Sequence, residues 1–96
     1  MITFTELLER AKSKGIAIHT PTEKQAKALL KAFDEKGYKW TSGVKLTTKA
    51  FYEFEKENTC YNFEPNKEVW YCALDWYQYK GYTIIEFEDI DFKENA

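Results

Sequence analysis

Apolar residues recur at helical spacing in two segments near the N-terminus. In the first segment they stand at i, i+3, i+4 and i+7, the spacing of one buried helix face: Phe4, Leu7, Leu8 and Ala11. Thr3, followed three residues later by Glu6, forms a capping box that begins such a helix. We therefore predict a short N-terminal helix that ends before Gly15.

The second segment, "TPTEKQAKALLKAFDEKG", carries the longer apolar stripe: Ala26, Leu29, Leu30 and Phe33. Its start is indicated by Thr20 as N-cap, Pro21 in the first helical position and Glu23 reaching back to the cap. Gly37 suits a C-terminal cap in the left-handed conformation. This segment is predicted to be the main helix.

Shorter patterns around this helix favour strands and turns. "GIAIH" and "YKW" are each predicted to form a short strand, and "TSG" is predicted to turn the chain. In the segment "LTTKAFYEFEKEN", Thr47 or Thr48 could cap a short helix, or the chain could be extended. We favour a helical turn or an irregular loop.

From Thr59 onward the apolar pattern changes to period two, which indicates a hairpin of "TCYNF" and "VWYCA" around "EPNKE". If Tyr61 and Tyr71 share a face, the numbers of any two residues that pair across the hairpin must add up to an even value. A sum of 132, which pairs Tyr61 with Tyr71, meets this condition. This register predicts a three-residue loop, 65–67, in which Asn66 or Lys67 is left-handed. It also places Cys60 opposite Cys72, beside the pair of Asn62 and Trp70.

The last strand, "YTIIEFEDI", follows a turn at Gly81 and is apolar on both faces. Tyr82 and Ile84 lie on one face, and Ile85 and Phe87 lie on the other. The apolar side chains on both faces must be shielded from water, and a homodimer is one way to do this. The charged residues 91–96 are expected to fray.

These elements predict an α+β fold in which a mixed sheet of four to five strands packs against one main helix, with a short N-terminal helix. The chain of 96 residues is expected to form a single domain, 1–96, with a core over about 16–88. Its 44% apolar and 31% charged residues suit a soluble protein. No apolar run approaches the roughly 20 residues of a membrane span, so a cytoplasmic location is expected.

Charge argues against general nucleic-acid binding, because such affinity comes mostly from clustered Lys and Arg. The formal net charge is −2, and Arg10 is the single arginine. Lys24, Lys27 and Lys31 recur along the outer face of the main helix, where they could meet an anionic ligand or form a solvated face.

The acidic positions cluster near the C-terminus: Glu86, Glu88, Asp89 and Asp91. A hard-cation site is conceivable there, but solvent-facing charge on an edge strand is the favoured interpretation. The four glycines are explained by turns and helix ends, which leaves none for a phosphate-binding loop.

Reactive side chains are few. Cys60 and Cys72 could form a disulfide, bind a metal or act as a redox pair, but small apolar residues in or near the core are favoured. His19, the only histidine, could act as a general base, and a structural role is favoured. The sequence therefore predicts no catalytic residue, no cofactor and no metal site.

Aromatic residues make up 18% of the chain, and they are the favoured binding candidates: Trp40, Trp70, Trp76, Tyr77 and Tyr79. "LDWYQYKGY" places four rings in a short connection, where they cannot all point inward. Exposed Trp and Tyr act as hot spots for a protein partner or as stacking platforms for a base. The alternative is that the rings fill the core.

The motifs "GYKWTSG", "ENTCY" and "GYTIIEF" resemble those of small proteins encoded by bacteriophages and prophages of Firmicutes, over about Ile16 to Phe87. The first helix lies outside the similar region. The resemblance implies a non-enzymatic accessory protein that binds and inhibits a host factor, such as a defence component, in the host cytoplasm. A protein that sequesters a nucleotide through Trp, Tyr and the lysines is the alternative, and a small hydrolase or redox enzyme using His19, Cys60 or Cys72 is a third hypothesis.

Overall fold

A computed structural model describes residues 1–10 and 15–93 as strands and helices arranged around two sheets. The strands are β1 (Ile2–Thr3), β2 (Ile16–His19), β3 (Lys39–Trp40), β4 (Thr59–Phe63), β5 (Glu68–Ala73), β6 (Thr83–Glu86) and β7 (Ile90–Asp91). The α-helices are α1 (Phe4–Arg10), α2 (Glu23–Glu35), α3 (Tyr52–Glu55) and α4 (Leu74–Tyr79). Short 3₁₀ turns occupy Leu46–Thr48, Lys56–Asn58 and Phe87–Asp89.

The larger sheet has the order β3-β5-β4-β2-β6 and is mixed. β2 is antiparallel to β4 and parallel to β6, while β5 is antiparallel to β4 and parallel to β3. The apolar stripe of α2 is buried in the main core against one face of this sheet. Tyr77 of α4 packs with Ala17 and Cys60 on the other face. The predicted α+β fold is confirmed.

The hairpin has the predicted register. Cys60 pairs with Cys72 and Asn62 pairs with Trp70 in the antiparallel ladder. Lys67 takes the left-handed conformation at φ 67°. The alternation of apolar residues therefore determined which side chains face α2 and which face α4.

The start of α2 differs from the prediction by two residues. Thr22, not Thr20, is the N-cap, and its hydroxyl accepts from the Gln25 N–H at 3.2 Å. Thr20 is buried, and its own hydroxyl donates to the carbonyl oxygen of Thr59 at 3.1 Å. Because that tertiary contact occupies Thr20, the next threonine caps the helix. Gly37 has the predicted left-handed conformation, with φ 88°.

The two ends of the described chain pair with each other. The capping box of Thr3 and Glu6 forms as predicted, and β1 pairs in parallel with β7 through Ile2↔Ile90 and Thr3↔Asp91. Phe92 packs on Phe4, with ring centroids 5.1 Å apart. Position 91, which was expected to begin a frayed tail, is thus held in a strand. The predicted positions Ala11 and 94–96 lie outside the described residues.

The segment predicted as one last strand divides into β6, a 3₁₀ turn and β7, which belongs to the smaller sheet. Ile84 packs against the α4 side of the larger sheet and Ile85 packs against the α2 side. Each face is therefore partly covered within one chain, by α4 on one side and by the α2 core on the other. In the described ranges no helix has the length and apolar character needed to cross a membrane.

Candidate functional site

The five aromatic candidates separate into three exposed and two buried side chains. Trp70, Trp76 and Tyr79 are 49%, 40% and 83% exposed, respectively. Trp40 and Tyr77 are 3% and 0% exposed, so their rings belong to the core and cannot meet a partner directly. The sequence expectation that some rings point outward is met by three residues only.

Tyr77 anchors α4 to the sheet. Its hydroxyl donates to Oδ1 of Asn62 at 2.5 Å, and its ring packs edge-on to Tyr82 with centroids 5.0 Å apart. Burial raises the pKa of the Tyr77 hydroxyl, which keeps it a protonated donor. The short segment predicted only as a connection is thereby held as a helix.

The three exposed rings share one side of the larger sheet. Asn62 points towards α4, because it accepts from Tyr77. Trp70 stands directly opposite Asn62 in the ladder and so projects from the same face. Trp76 and Tyr79 project from α4 itself. Lys80 has its Nζ 5.8 Å from the centroid of Trp76 and 5.7 Å from that of Tyr79. We name Trp70, Trp76, Tyr79 and Lys80 the α4 face.

A second aromatic surface lies where β3 ends. β3 pairs with β5 only at Glu68 and Val69, so Trp70 is the first residue of β5 beyond its partner strand. A groove of about 160 Å³ opens there. We name it the aromatic groove, and its lining residues are Trp40, Ser42, Val44, Thr48, Lys49, Phe51 and Trp70.

Parallel ring stacking supports one wall of the aromatic groove. Phe51 stacks on Tyr71 with centroids 4.7 Å apart and planes at 6°, and Phe54 continues the stack at 6.3 Å. Val44 and Phe54 are 47% and 61% exposed. Sequence reasoning missed both as site residues, because their segments carry no clear period.

Backbone strain is concentrated beside this groove. Phe51 and Lys56, which flank α3, have φ values of 58° and 50°. A bulky L-residue in such a conformation costs about 1–3 kcal/mol, and strain of this kind is found at ligand-binding sites. In addition, the buried Nε1 of Trp40 has no hydrogen-bond partner among the described residues.

A basic cleft of about 390 Å³ adjoins the aromatic groove. We name it the lysine cleft, and it is lined by Lys27, Leu30, Lys31, Leu46, Thr47, Thr48, Lys49 and Ala50. Of the predicted lysine stripe, Lys27 and Lys31 line this cleft, whereas Lys24 is not among its lining residues. Lys27 also forms a 3.7 Å ion pair with Glu23 on the surface of α2.

His19 has a structural environment. Its Nδ1 lies 2.9 Å from a carboxylate oxygen of Glu86, and its Nε2 lies 2.7 Å from the carbonyl oxygen of Glu57. Both ring nitrogens are therefore engaged.

Of the acidic positions predicted to face solvent on an edge strand, only Glu86 lies in β6, an edge strand of the larger sheet, and it is half-buried against His19. Glu88 and Asp89 are exposed in the 3₁₀ turn, and Asp91 lies in β7.

The cysteines are free thiols that face each other across the hairpin. Burial raises the pKa of the Cys60 thiol to about 12, which disfavours the nucleophilic thiolate at neutral pH. Within residues 1–10 and 15–93, no group of three or more His, Cys, Asp or Glu side chains could hold a metal ion.

Comparison of the chain with protein-family models, curated proteins and solved structures gave no match.

Proposed function

We propose that this chain is a non-enzymatic accessory protein of a bacteriophage or prophage that binds and inhibits a host protein, such as a defence component, in the host cytoplasm. The observation that carries the proposal is the exposure of Trp70, Trp76 and Tyr79 on one side of the larger sheet. Trp and Tyr are the residue types most enriched at binding hot spots, because they bury a large area with few rotatable bonds.

The attachment of α4 supports this use of the surface. Tyr77 fixes the helix through a buried hydrogen bond to Asn62, so Trp76 and Tyr79 are presented on an ordered element, and less conformational entropy is lost on binding. Lys80, whose Nζ lies 5.8 and 5.7 Å from the Trp76 and Tyr79 ring centroids, supplies a charge for a polar rim.

The surroundings of the reactive side chains support a non-enzymatic role. His19 is engaged at both ring nitrogens, and Cys60 is buried with a raised pKa. A general base needs a free nitrogen, and a cysteine nucleophile needs an accessible thiolate.

The test compares host proteins retained from a Firmicutes lysate by three immobilised forms of the chain. These are the wild type, the Trp76→Ala,Tyr79→Ala variant of the α4 face, and the Lys31→Ala,Lys49→Ala variant of the lysine cleft. We expect a host protein that the wild type and the cleft variant retain and the α4-face variant does not. Equal retention by all three forms, with circular dichroism confirming that each is folded, would contradict the proposal.

A further inference from the structure

The aromatic groove and the lysine cleft adjoin each other, because Thr48 and Lys49 line both, and we treat them together as one depression. One part offers the rings of Phe51 and Trp70, and the other offers ammonium groups. We propose that this depression binds a nucleotide, with the base against Phe51 and Trp70 and the phosphates among Lys27, Lys31 and Lys49. The depression shares Trp70 with the α4 face, whereas Trp76, Tyr79 and Lys80 do not line it.

The charge distribution selects an anion. Among residues 1–10 and 15–93, no Asp or Glu lines the groove or the cleft. Three lysines line the cleft with the hydroxyl-bearing Thr47 and Thr48. Glu23 lies 3.7 Å from Lys27 and offsets part of its charge, so Lys31 and Lys49 supply most of the attraction for phosphate oxygens, because nearby charges determine the local potential.

The apolar part selects a planar ring. The aromatic groove is bounded by Phe51, Trp70 and the buried Trp40, and every nucleobase has a face that can stack on such rings. The cavities, at about 160 and 390 Å³, together fall within the roughly 300–1,000 Å³ of small-molecule sites. An aromatic groove beside a lysine cleft favours a nucleotide, which has a planar base and phosphates, over an acidic peptide.

Phe51 lines the aromatic groove in a strained conformation, with φ 58°. Its ring is held by stacking on Tyr71 and by an edge contact with Trp40, with centroids 5.0 Å apart. The surrounding rings therefore fix one wall of the aromatic groove before any ligand enters, so less conformational entropy is lost on binding.

The test is titration calorimetry with a panel of four probes and two comparison ligands. The probes are the diphosphates of adenosine, guanosine, cytidine and uridine, and the comparison ligands are adenosine and pyrophosphate. We expect at least one diphosphate to bind at least about tenfold more tightly than pyrophosphate, since stacking adds to the ionic contacts. Affinity should fall as salt is raised. In a Trp76→Phe background, binding should also quench the remaining tryptophan fluorescence.

Matched variants identify the site. Trp70→Ala should weaken binding roughly tenfold or more, and Lys31→Ala,Lys49→Ala should weaken it and flatten its salt dependence. Lys24→Ala, on the same helix but outside the cleft, and Trp76→Ala,Tyr79→Ala should leave affinity unchanged.

Three results would overturn the nucleotide site: no diphosphate binding at 1 mM, equal effects of Lys24→Ala and Lys31→Ala, or a glutamate-rich peptide binding as tightly as the best diphosphate. Each leaves the α4-face proposal intact, because that proposal is tested at Trp76 and Tyr79, which line neither the groove nor the cleft.

Discussion

Removal of one buried hydroxyl should weaken the attachment of α4. In Tyr77→Phe the ring and its contacts with the sheet remain, but Oδ1 of Asn62 loses the donor that lies at 2.5 Å. Tyr77 and Asn62 are 0% and 8% exposed, so water cannot readily replace the lost partner. A buried polar atom left unpaired costs about 1–3 kcal/mol.

That cost is measurable in a domain of this size. At roughly 4–8 °C per kcal/mol for 60–100 residues, the midpoint of thermal unfolding should fall by about 5–20 °C. The assay is urea denaturation and thermal unfolding followed by circular dichroism. Tyr79→Phe is the matched control, because it removes a hydroxyl from the same helix at an 83% exposed residue and should stay within about 0.5 kcal/mol of the wild type.

A Tyr77→Phe variant that unfolds within about 0.5 kcal/mol of the Tyr79→Phe control would refute this account of how α4 is held. It would also remove the reason to regard Trp76 and Tyr79 as presented on an ordered helix.

Three further predictions concern stability. Above pH 10, the buried Cys60 and Tyr61 stay protonated in the fold because burial raises the pKa of each, whereas they ionise in the unfolded chain. Denaturant titrations should therefore show the free energy of unfolding decreasing with rising pH, by up to about 1.4 kcal/mol per pH unit for each group; constant stability from pH 9 to 11 would contradict this. Thr22→Ala should cost about 1 kcal/mol in urea denaturation through loss of the α2 cap, and Thr22→Ser should restore most of it; equal stability of the two variants would disprove the cap assignment. Lys56→Gly should stabilise by about 1 kcal/mol, because glycine accepts φ 50° without strain, whereas a gain as large in Lys56→Ala would rule out this cause.

The parts of the fold that follow a period could be predicted from the sequence. Side chains alternate strictly along a strand, so the shared face of Tyr61 and Tyr71 limited the hairpin to registers of one parity, and the loop selected the observed one. The buried stripe of α2 followed from its 3.6-residue spacing in the same way.

Features that depend on long-range contacts could not be predicted. Thr20 and Thr22 are equivalent caps by sequence, and the contact of Thr20 with Thr59 decides between them. The pairing of β1 with β7 joins two strands of two residues from opposite ends of the chain, too short for any period to appear. α4 is a six-residue helix fixed by a tertiary hydrogen bond.

The candidate site was predictable only in its residue types. Trp40 and Trp70 both stand next to a lysine or valine in short strands, yet one is buried and the other exposed. The difference arises because Trp40 pairs with Val69 and packs in the main core beside α2, whereas Trp70 projects from the opposite face. Exposure of a ring thus depends on which face of the sheet it joins and on what covers that face.

The affinity of the captured host protein for the purified chain tests the central claim most directly. Single hot-spot residues contribute at least about 2 kcal/mol, so Trp76→Ala,Tyr79→Ala should weaken the measured Kd by about 30-fold or more. Lys31→Ala,Lys49→Ala should leave that Kd unchanged. A host protein bound equally well by the α4-face variant, or no host protein bound by the wild type, would contradict the claim that this molecule acts through its α4 face.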